Sequence, residues 1–360
     1  MGKMKIALLN LPYDNNYGGN LQRYALMKVL QDMGHDVTHL NLRFDHSLSW
    51  YKKPYSYTKR IILKYGLGRD VRINQEKYSK EQYEKCCMIT EPFYQEYIKH
   101  TEPIYKLSEL KKYSNFDAYV VGSDQVWRKK IANRYLLSMF LDFLPKDCKV
   151  KRIAYGVSLG VAENELSVGE ISQLSELYKR FDAVSVREKS ALSLFDTYGW
   201  INPKARTVLD PTLLLDKSDY QELIRNTKTE PSNGNMFCYI LDNTEEKQKI
   251  VDDLAKRKGL TPFRVALDGN HNISVEQWLR SFDDAEYVIT DSYHGLLFSI
   301  IFRKPFYLMK NPKRGNARFN HIISDLGLNN NDDINDWRNI QLILSRKRLI
   351  SINFLRSNLQ

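Results

Sequence analysis

The sequence predicts an α/β protein made of two Rossmann-type domains that face each other across a cleft. Three observations carry this. The first 42 residues spell one β-α-β unit, the opening of a doubly wound sheet. A second series of short apolar strands and amphipathic helices starts near Asn235, after a polar stretch, 216–235, that reads as a linker. The 360 residues also exceed one ordinary core and suit two domains of roughly 150–200 each.

Lys5–Leu11 reads as a strand, "GGNLQRYALMKVLQDMG" from Gly18 as an amphipathic helix closed by Gly34, and "DVTHLNL" as a second strand. Residues 44–112 break the rhythm: rich in Tyr and Lys, they read as a helical insertion. "FDAYVVGSDQVW" (116–127), "RIAYGVSLG" (152–160), "FDAVSVRE" (181–188) and "ARTVLDPTLLL" (205–215) supply further strand ends, with helices at about 165–180 and 189–198. In the second series, strands are expected at 235–241, 262–267, 286–290 and 306–309, with helices at 244–258, 274–283 and 294–303 between them. Asn316–Leu326 and Asp336 to about Phe354 read as helices. The expected division is 1–215, 216–335, and a basic C-terminal helix at 336–360.

Composition excludes several classes. No apolar run approaches the roughly 20 residues of a membrane span. The start, "MGKMKIALLNLPYD", turns polar too soon for a secretory signal, and Ile6 does not fit a myristoylation site. Four cysteines with no paired spacing beyond the adjacent Cys86 and Cys87, and scattered histidines, suggest neither disulfides nor a metal site, and fit a reducing cytoplasm. The net charge of +11 is uneven, with ten Lys or Arg against four acids between Lys52 and Lys85. Either a solvated basic surface or attraction to an anionic partner would account for it. No nucleic-acid-binding motif accompanies the basic segments.

In open α/β sheets ligands bind beyond the carboxyl ends of the strands, so the polar residues there are the candidates. After the first strand, Gly18 and Gly19 would let a ligand approach the backbone and Asn20 could cap the helix. After the third, Ser123, Asp124, Gln125 and Trp127 form a polar and aromatic group: Asp and Gln can hold sugar hydroxyls, and Trp offers a flat face to a pyranose. Arg187 emerges where a strand hands over to a helix, placed to grip a carboxylate or phosphate with two donors. In "TDSYHG", Asp291 or Ser292 can cap a helix whose N-terminus seats an anion, and His294 in its first turn can contact that anion or exchange a proton beside it. Arg314 and Arg318 follow on a loop leading to a helix and could complete the pocket.

The blocks "NNYGGNLQRYAL", "VGSDQVW", "AYGVSLG", "SVREKSA", "LDPTLLL" and "ITDSYHGLLFSIIFRKPF" resemble, in this order, the motifs of the polysaccharide pyruvyl transferase family, from about residue 5 to 325. The resemblance implies a GT-B-like fold, with the acceptor on the first domain and the donor on the second. It implies an enzyme without metal or other cofactor that moves the pyruvyl group of phosphoenolpyruvate onto two hydroxyls of a sugar, as a cyclic ketal. It associates Arg187 and His294 with phosphoenolpyruvate. His294 is then the candidate proton handler, with phosphate contact as its alternative role, and Asp124 a candidate for taking the hydroxyl proton. The basic segments would suit a lipid-diphosphate-linked acceptor and peripheral contact with an anionic inner membrane face. Two alternatives stay open: a GT-B glycosyltransferase using a nucleotide sugar, and a non-catalytic anion- or glycan-binding member of the fold.

Overall fold

Lys5–Leu9 (β1) presents Ile6, Ala7, Leu8 and Leu9 with no exposure on either face, as a central strand of a parallel sheet must. The computed structural model describes residues 2–265, 273–309, 317–328, 331–332 and 337–360. Around β1 assemble β2 (Asp36–His39), β3 (Ala118–Val121), β4 (Lys151–Val157), β5 (Ala183–Val186) and β6 (Arg206–Thr207), all parallel, in the order β2-β1-β3-β4-β5-β6. The second sheet holds β7 (Met236–Tyr239), β8 (Pro262–Phe263), β9 (Tyr287–Thr290), β10 (Phe306–Leu308) and β11 (Asn331–Asp332), in the order β11-β10-β9-β7-β8, with only β11 antiparallel among them.

The helices of the first domain are α1 (Tyr17–Asp32), α2 (Lys53–Ile61), α3 (Gln75–Cys87), α4 (Glu91–Tyr97), α5 (Lys129–Ala132), α6 (Val168–Tyr178) and α7 (Lys189–Tyr198). Then come α8 (Lys217–Asn226), α9 (Glu245–Lys258), α10 (Val275–Asp284), α11 (Tyr293–Phe302), α12 (Ala317–Leu326) and α13 (Trp337–Asn358). This is the two-domain α/β arrangement of a GT-B-like fold. One apolar core runs through both domains, from Leu21 and Leu26 of α1 to Phe282, Leu297 and Phe298 of α10 and α11. Tyr17 stacks on Trp278 at 5.4 Å across the junction.

Three elements differ from the sequence reading. "ARTVLDPTLLL" is strand only over Arg206–Thr207, because Pro211 has no N–H for a ladder and Asp210 caps a single 3-10 turn, Pro211–Leu214. The polar stretch 216–235, expected as a linker, carries α8, held to α10 through Lys217–Asp283 (2.9 Å) and Gln221–Asp283 (3.1 Å). The insertion is helical, as α2 to α4, and also extends the sheet edge, since His39 bridges His100 and Leu42 bridges Ile104. The C-terminal helix expected at 336–360 is α13, and it returns to the first domain. Ser351 accepts from the Leu209 amide at 2.9 Å, and Arg348 donates to the carbonyls of Leu213 (2.6 Å) and Leu215 (2.9 Å).

Candidate active site

The carboxyl ends of the strands of both sheets open into one cleft of about 660 Å³. Its walls include Asp14, Asn16, Asp124, Gln125, His294 and Arg318. The N-terminal turns of α1 and α11 both reach it, through Tyr17 and through Ser292–His294. Two helix N-termini give the cleft partial positive charge and amide donors, which favours an anionic ligand.

Ser292 caps α11 by accepting from Gly295 N at 3.3 Å. Asp291, the other expected cap, is instead used behind the strand ends, where it accepts from Leu241 N (2.7 Å) and Lys247 Nζ (2.6 Å). The first-turn amides of Tyr293 and His294 have no carbonyl a turn earlier to bond. His294 is buried, and its ring lies against Gly18 of the other domain: a Cβ at Gly18 would meet Cγ and Nδ1 at 2.1 Å. Gly18 therefore makes room for the histidine rather than for a ligand. At Gly19 a Cβ would find only ordinary contacts, 3.6 Å and beyond, so no close approach demands that glycine. The cap of α1 is Asn16, which accepts from Gly19 N at 3.1 Å. Asn20, the expected cap, is fully buried one turn later, between Asp14 O (3.1 Å) and Arg23 Nη1 (3.0 Å).

The centre is a buried ionic cluster. The Arg187 side chain is 1% exposed and donates Nη1 to Asp210 and Nη2 to Asp124. It is thus neither surface decoration nor a free two-point grip: its fork is filled by carboxylates, and only Nε lacks a partner. Arg318 joins Asp124 at 3.1 Å. The Tyr293 ring packs near both guanidinium groups, 5.2 Å from that of Arg187 and 5.0 Å from that of Arg318. Asp210 also accepts from Gln22 Nε2 (2.6 Å) and from Thr212 N (3.0 Å) and Oγ1 (2.8 Å). It lies 4.0 Å from His294 Nε2, which is buried with no hydrogen-bond partner.

These contacts set the charges. Burial alone would raise the pKa of Asp124, but Arg187 and Arg318 outweigh it and hold the carboxyl well below the usual carboxylate range. Asp210 moves the same way: Arg187 and His294 overcome its burial. Burial lowers the pKa of His294, and Arg187 and Arg318 lower it further against the pull of Asp210 and Asp124. The resting imidazole is therefore neutral at pH 7. Asp14 runs opposite to Asp124, since burial raises its pKa more than Arg23 lowers it.

Two expected sugar contacts are used elsewhere. Trp127 is 1% exposed, stacks on Phe140 at 4.2 Å and donates Nε1 to Met139 O, so its face is core and cannot meet a pyranose. Ser123 is buried and donates to Gly156 O at 2.6 Å. Gln125 does line the cleft, steadied by Arg128 Nη1 at 2.8 Å. Arg314 lies outside the described residues. Sequence reasoning passed over Asp210 and Glu188. The Glu188 carboxylate accepts from Ser158 Oγ (2.8 Å), Leu159 N (3.0 Å) and Gly160 N (3.1 Å), and shapes the loop after β4. The only local sign of Asp210 was Asp-Pro after a strand, the signature of a capped turn.

Among solved structures, the chain is similar in path to a putative UDP-N-acetylglucosamine 2-epimerase from Listeria monocytogenes, at 11% identity and TM-score 0.49, covering 99% of this chain and 91% of that one. It is similar to a UDP-GlcNAc 2-epimerase from Neisseria meningitidis bound to UDP-GlcNAc, at 8% identity and TM-score 0.46, covering 98% and 94%. It is also similar to an α-glucosyltransferase in complex with UDP-glucose and DNA, at 12% identity and TM-score 0.42, covering 99% and 95%. No curated protein matches the chain. The family model described as polysaccharide pyruvyl transferase matches residues 16–312, which include Asp124, Arg187, Asp210 and His294 but neither Asp14 nor Arg318. The chain belongs to the polysaccharide pyruvyl transferase family.

Proposed function

We propose that the cleft moves the pyruvyl group of phosphoenolpyruvate onto two hydroxyls of one sugar and releases phosphate. The observation that carries this reading is His294: a neutral, buried imidazole with an unpartnered Nε2, beside two arginines at a helix N-terminus. Phosphoenolpyruvate carries a phosphate and a carboxylate. Arg318, which lines the cleft, and the first-turn amides of α11 supply donors for them. Arg187 contributes charge from below while holding Asp124 and Asp210 in place.

The reaction needs a proton at the methylene carbon, which becomes methyl as C2 turns electrophilic. A sugar hydroxyl then bonds to C2 and gives up its proton. The C2–phosphate bond breaks with its electrons going to oxygen, and the second hydroxyl closes the ketal. One hydroxyl proton thus balances the methyl group and the other leaves with phosphate. An arriving anion raises the pKa of His294 from its lowered resting position, so donor binding loads the imidazole with the proton it passes on.

Asp124, clamped between two arginines, is too weak a base for the hydroxyl. Asp14 lines the same cleft with a raised pKa and suits that step. Asp14→Asn should then lower turnover about 10²-fold at an unchanged melting temperature. Asp124→Asn should instead lower the melting temperature, because it leaves Arg187 and Arg318 short of a carboxylate. The reverse pattern in thermal melts and saturating-donor rates would return the role to Asp124.

The acceptor in this reading is a polysaccharide unit, in its lipid-diphosphate-linked form. The four cysteines are free thiols, which supports a cytoplasmic setting. No helix among the described residues is long and apolar enough to cross a membrane. The reading requires neither metal nor cofactor. Incubation with phosphoenolpyruvate and candidate glycans in excess chelator should release phosphate and add a pyruvyl mass to the glycan. Release of a nucleoside diphosphate from a sugar nucleotide would replace this reading with glycosyl transfer. Dependence on one divalent ion would end its metal-independence.

A further inference from the structure

Helix α2 and the π-turn after it, Ile62–Gly66, contain no buried residue, although the segment is rich in large apolar side chains. Trp50 is 82% exposed, Tyr55 73%, Ile62 56% and Tyr65 74%, and Tyr51, Ile61 and Leu67 are exposed as well. Most of the large apolar side chains of the segment point away from the protein. Tyr51, Tyr55, Thr58 and Ile62 recur at helical spacing and face outward, whereas half-buried Ser56, Tyr57, Arg60 and Leu63 face the protein. Arg60 anchors that inner face, bonding Glu76 at 2.8 Å and Ile73 O at 3.0 Å. It is therefore not part of the free basic surface. A helix anchored through Arg60 that leaves Tyr55, Ile61 and Ile62 outward is shaped to meet something else.

The charges select the partner. From Trp50 to Arg69 there is no Asp or Glu, and Lys52, Lys53, Lys59, Lys64 and Arg69 are all exposed. Trp and Tyr beside aliphatic side chains, flanked by lysines, match the boundary between anionic headgroups and acyl chains. We propose that the 3-10 turn Trp50–Lys52, α2 and the π-turn after it form a membrane-docking surface, in which Trp50, Tyr55, Ile62 and Tyr65 enter the headgroup layer of an anionic bilayer while the lysines pair with lipid phosphates. The inference stands on this surface alone and does not depend on the chemistry of the cleft.

The test uses the full chain and vesicles of phosphatidylcholine, with or without about one third phosphatidylglycerol. Sedimentation at low salt should recover the protein with the anionic vesicles and roughly tenfold less with the neutral ones. Trp127, Trp200 and Trp278 are buried and Trp337 is half-buried, so the emission of Trp50 should dominate a blue shift on anionic vesicles, and Trp50→Phe should remove it. Replacing Trp50, Tyr55, Ile62 and Tyr65 together by Ala should weaken vesicle binding at least tenfold without changing the melting temperature, since none is buried. Three results would overturn the proposal. These are no partition to either vesicle, undiminished binding by the quadruple variant, and a quadruple variant that merely turns an oligomer into a monomer while neither form binds vesicles.

Discussion

His294→Gln is expected to lower turnover by roughly 10² to 10⁴-fold while donor affinity changes little. Gln keeps a hydrogen-bonding side chain of similar reach but does not titrate. The site sharpens the prediction through proton linkage. The free imidazole has a lowered pKa, and a bound anion raises it. Donor binding should therefore take up a proton at pH values between the free and the donor-bound pKa. Calorimetry of phosphoenolpyruvate binding in two buffers of different ionisation enthalpy would show that uptake in the wild type and none in the variant. If the histidine only contacts phosphate, the variant binds donor weakly and recovers its rate at saturation. A folded Gln variant with near-normal saturated turnover would end the case for chemistry at His294.

Arg187→Lys is expected to damage both folding and activity. From sequence alone, a two-point grip on the donor implied a variant that folds normally and only loses donor affinity. The structure changes that expectation, because the two arms of the fork hold Asp124 and Asp210. One ammonium cannot serve both carboxylates at the same reach, and the one left over is a buried, uncompensated charge. The cost should be about 3 kcal/mol, a fall in melting temperature of roughly 4 °C for a chain of this size. Donor binding should weaken as well, since Asp124 also orients Arg318. Thermal melts with and without phosphoenolpyruvate read both effects. A variant that melts and binds like the wild type would reduce the cluster to a bystander.

The strands were legible because parallel strands covered on both faces are written as short apolar runs, such as Lys5–Leu9 and Tyr287–Thr290. His294 was legible because a histidine in the first turn of an all-apolar helix, just after a strand, has few structural uses. Asp210 was not. Its importance arises where the ends of β3, β5 and β6 meet α11, and no pattern within one segment encodes a meeting of four. Trp127 was misjudged because a core tryptophan needs only a partner for its N–H, and Met139 O, twelve residues on, provides it. Asn16 rather than Asn20 caps α1 for a smaller reason. Both precede or begin the same apolar run, and helix starts are uncertain by a turn until the cap is seen.

The return of α13 to the first domain orders events during synthesis. The ribosome has made every strand of the first sheet by Thr207, yet the Leu209 amide finds its acceptor only at Ser351, 142 residues later. At ordinary elongation rates that wait lasts roughly 7–30 s. Through it, the backbone beside Asp210 lacks its clamp, and the Arg187–Asp124–Asp210 cluster lacks Arg318, Tyr293 and His294. The nascent chain should therefore complete its cleft only as a late step, once the second domain and α13 have emerged.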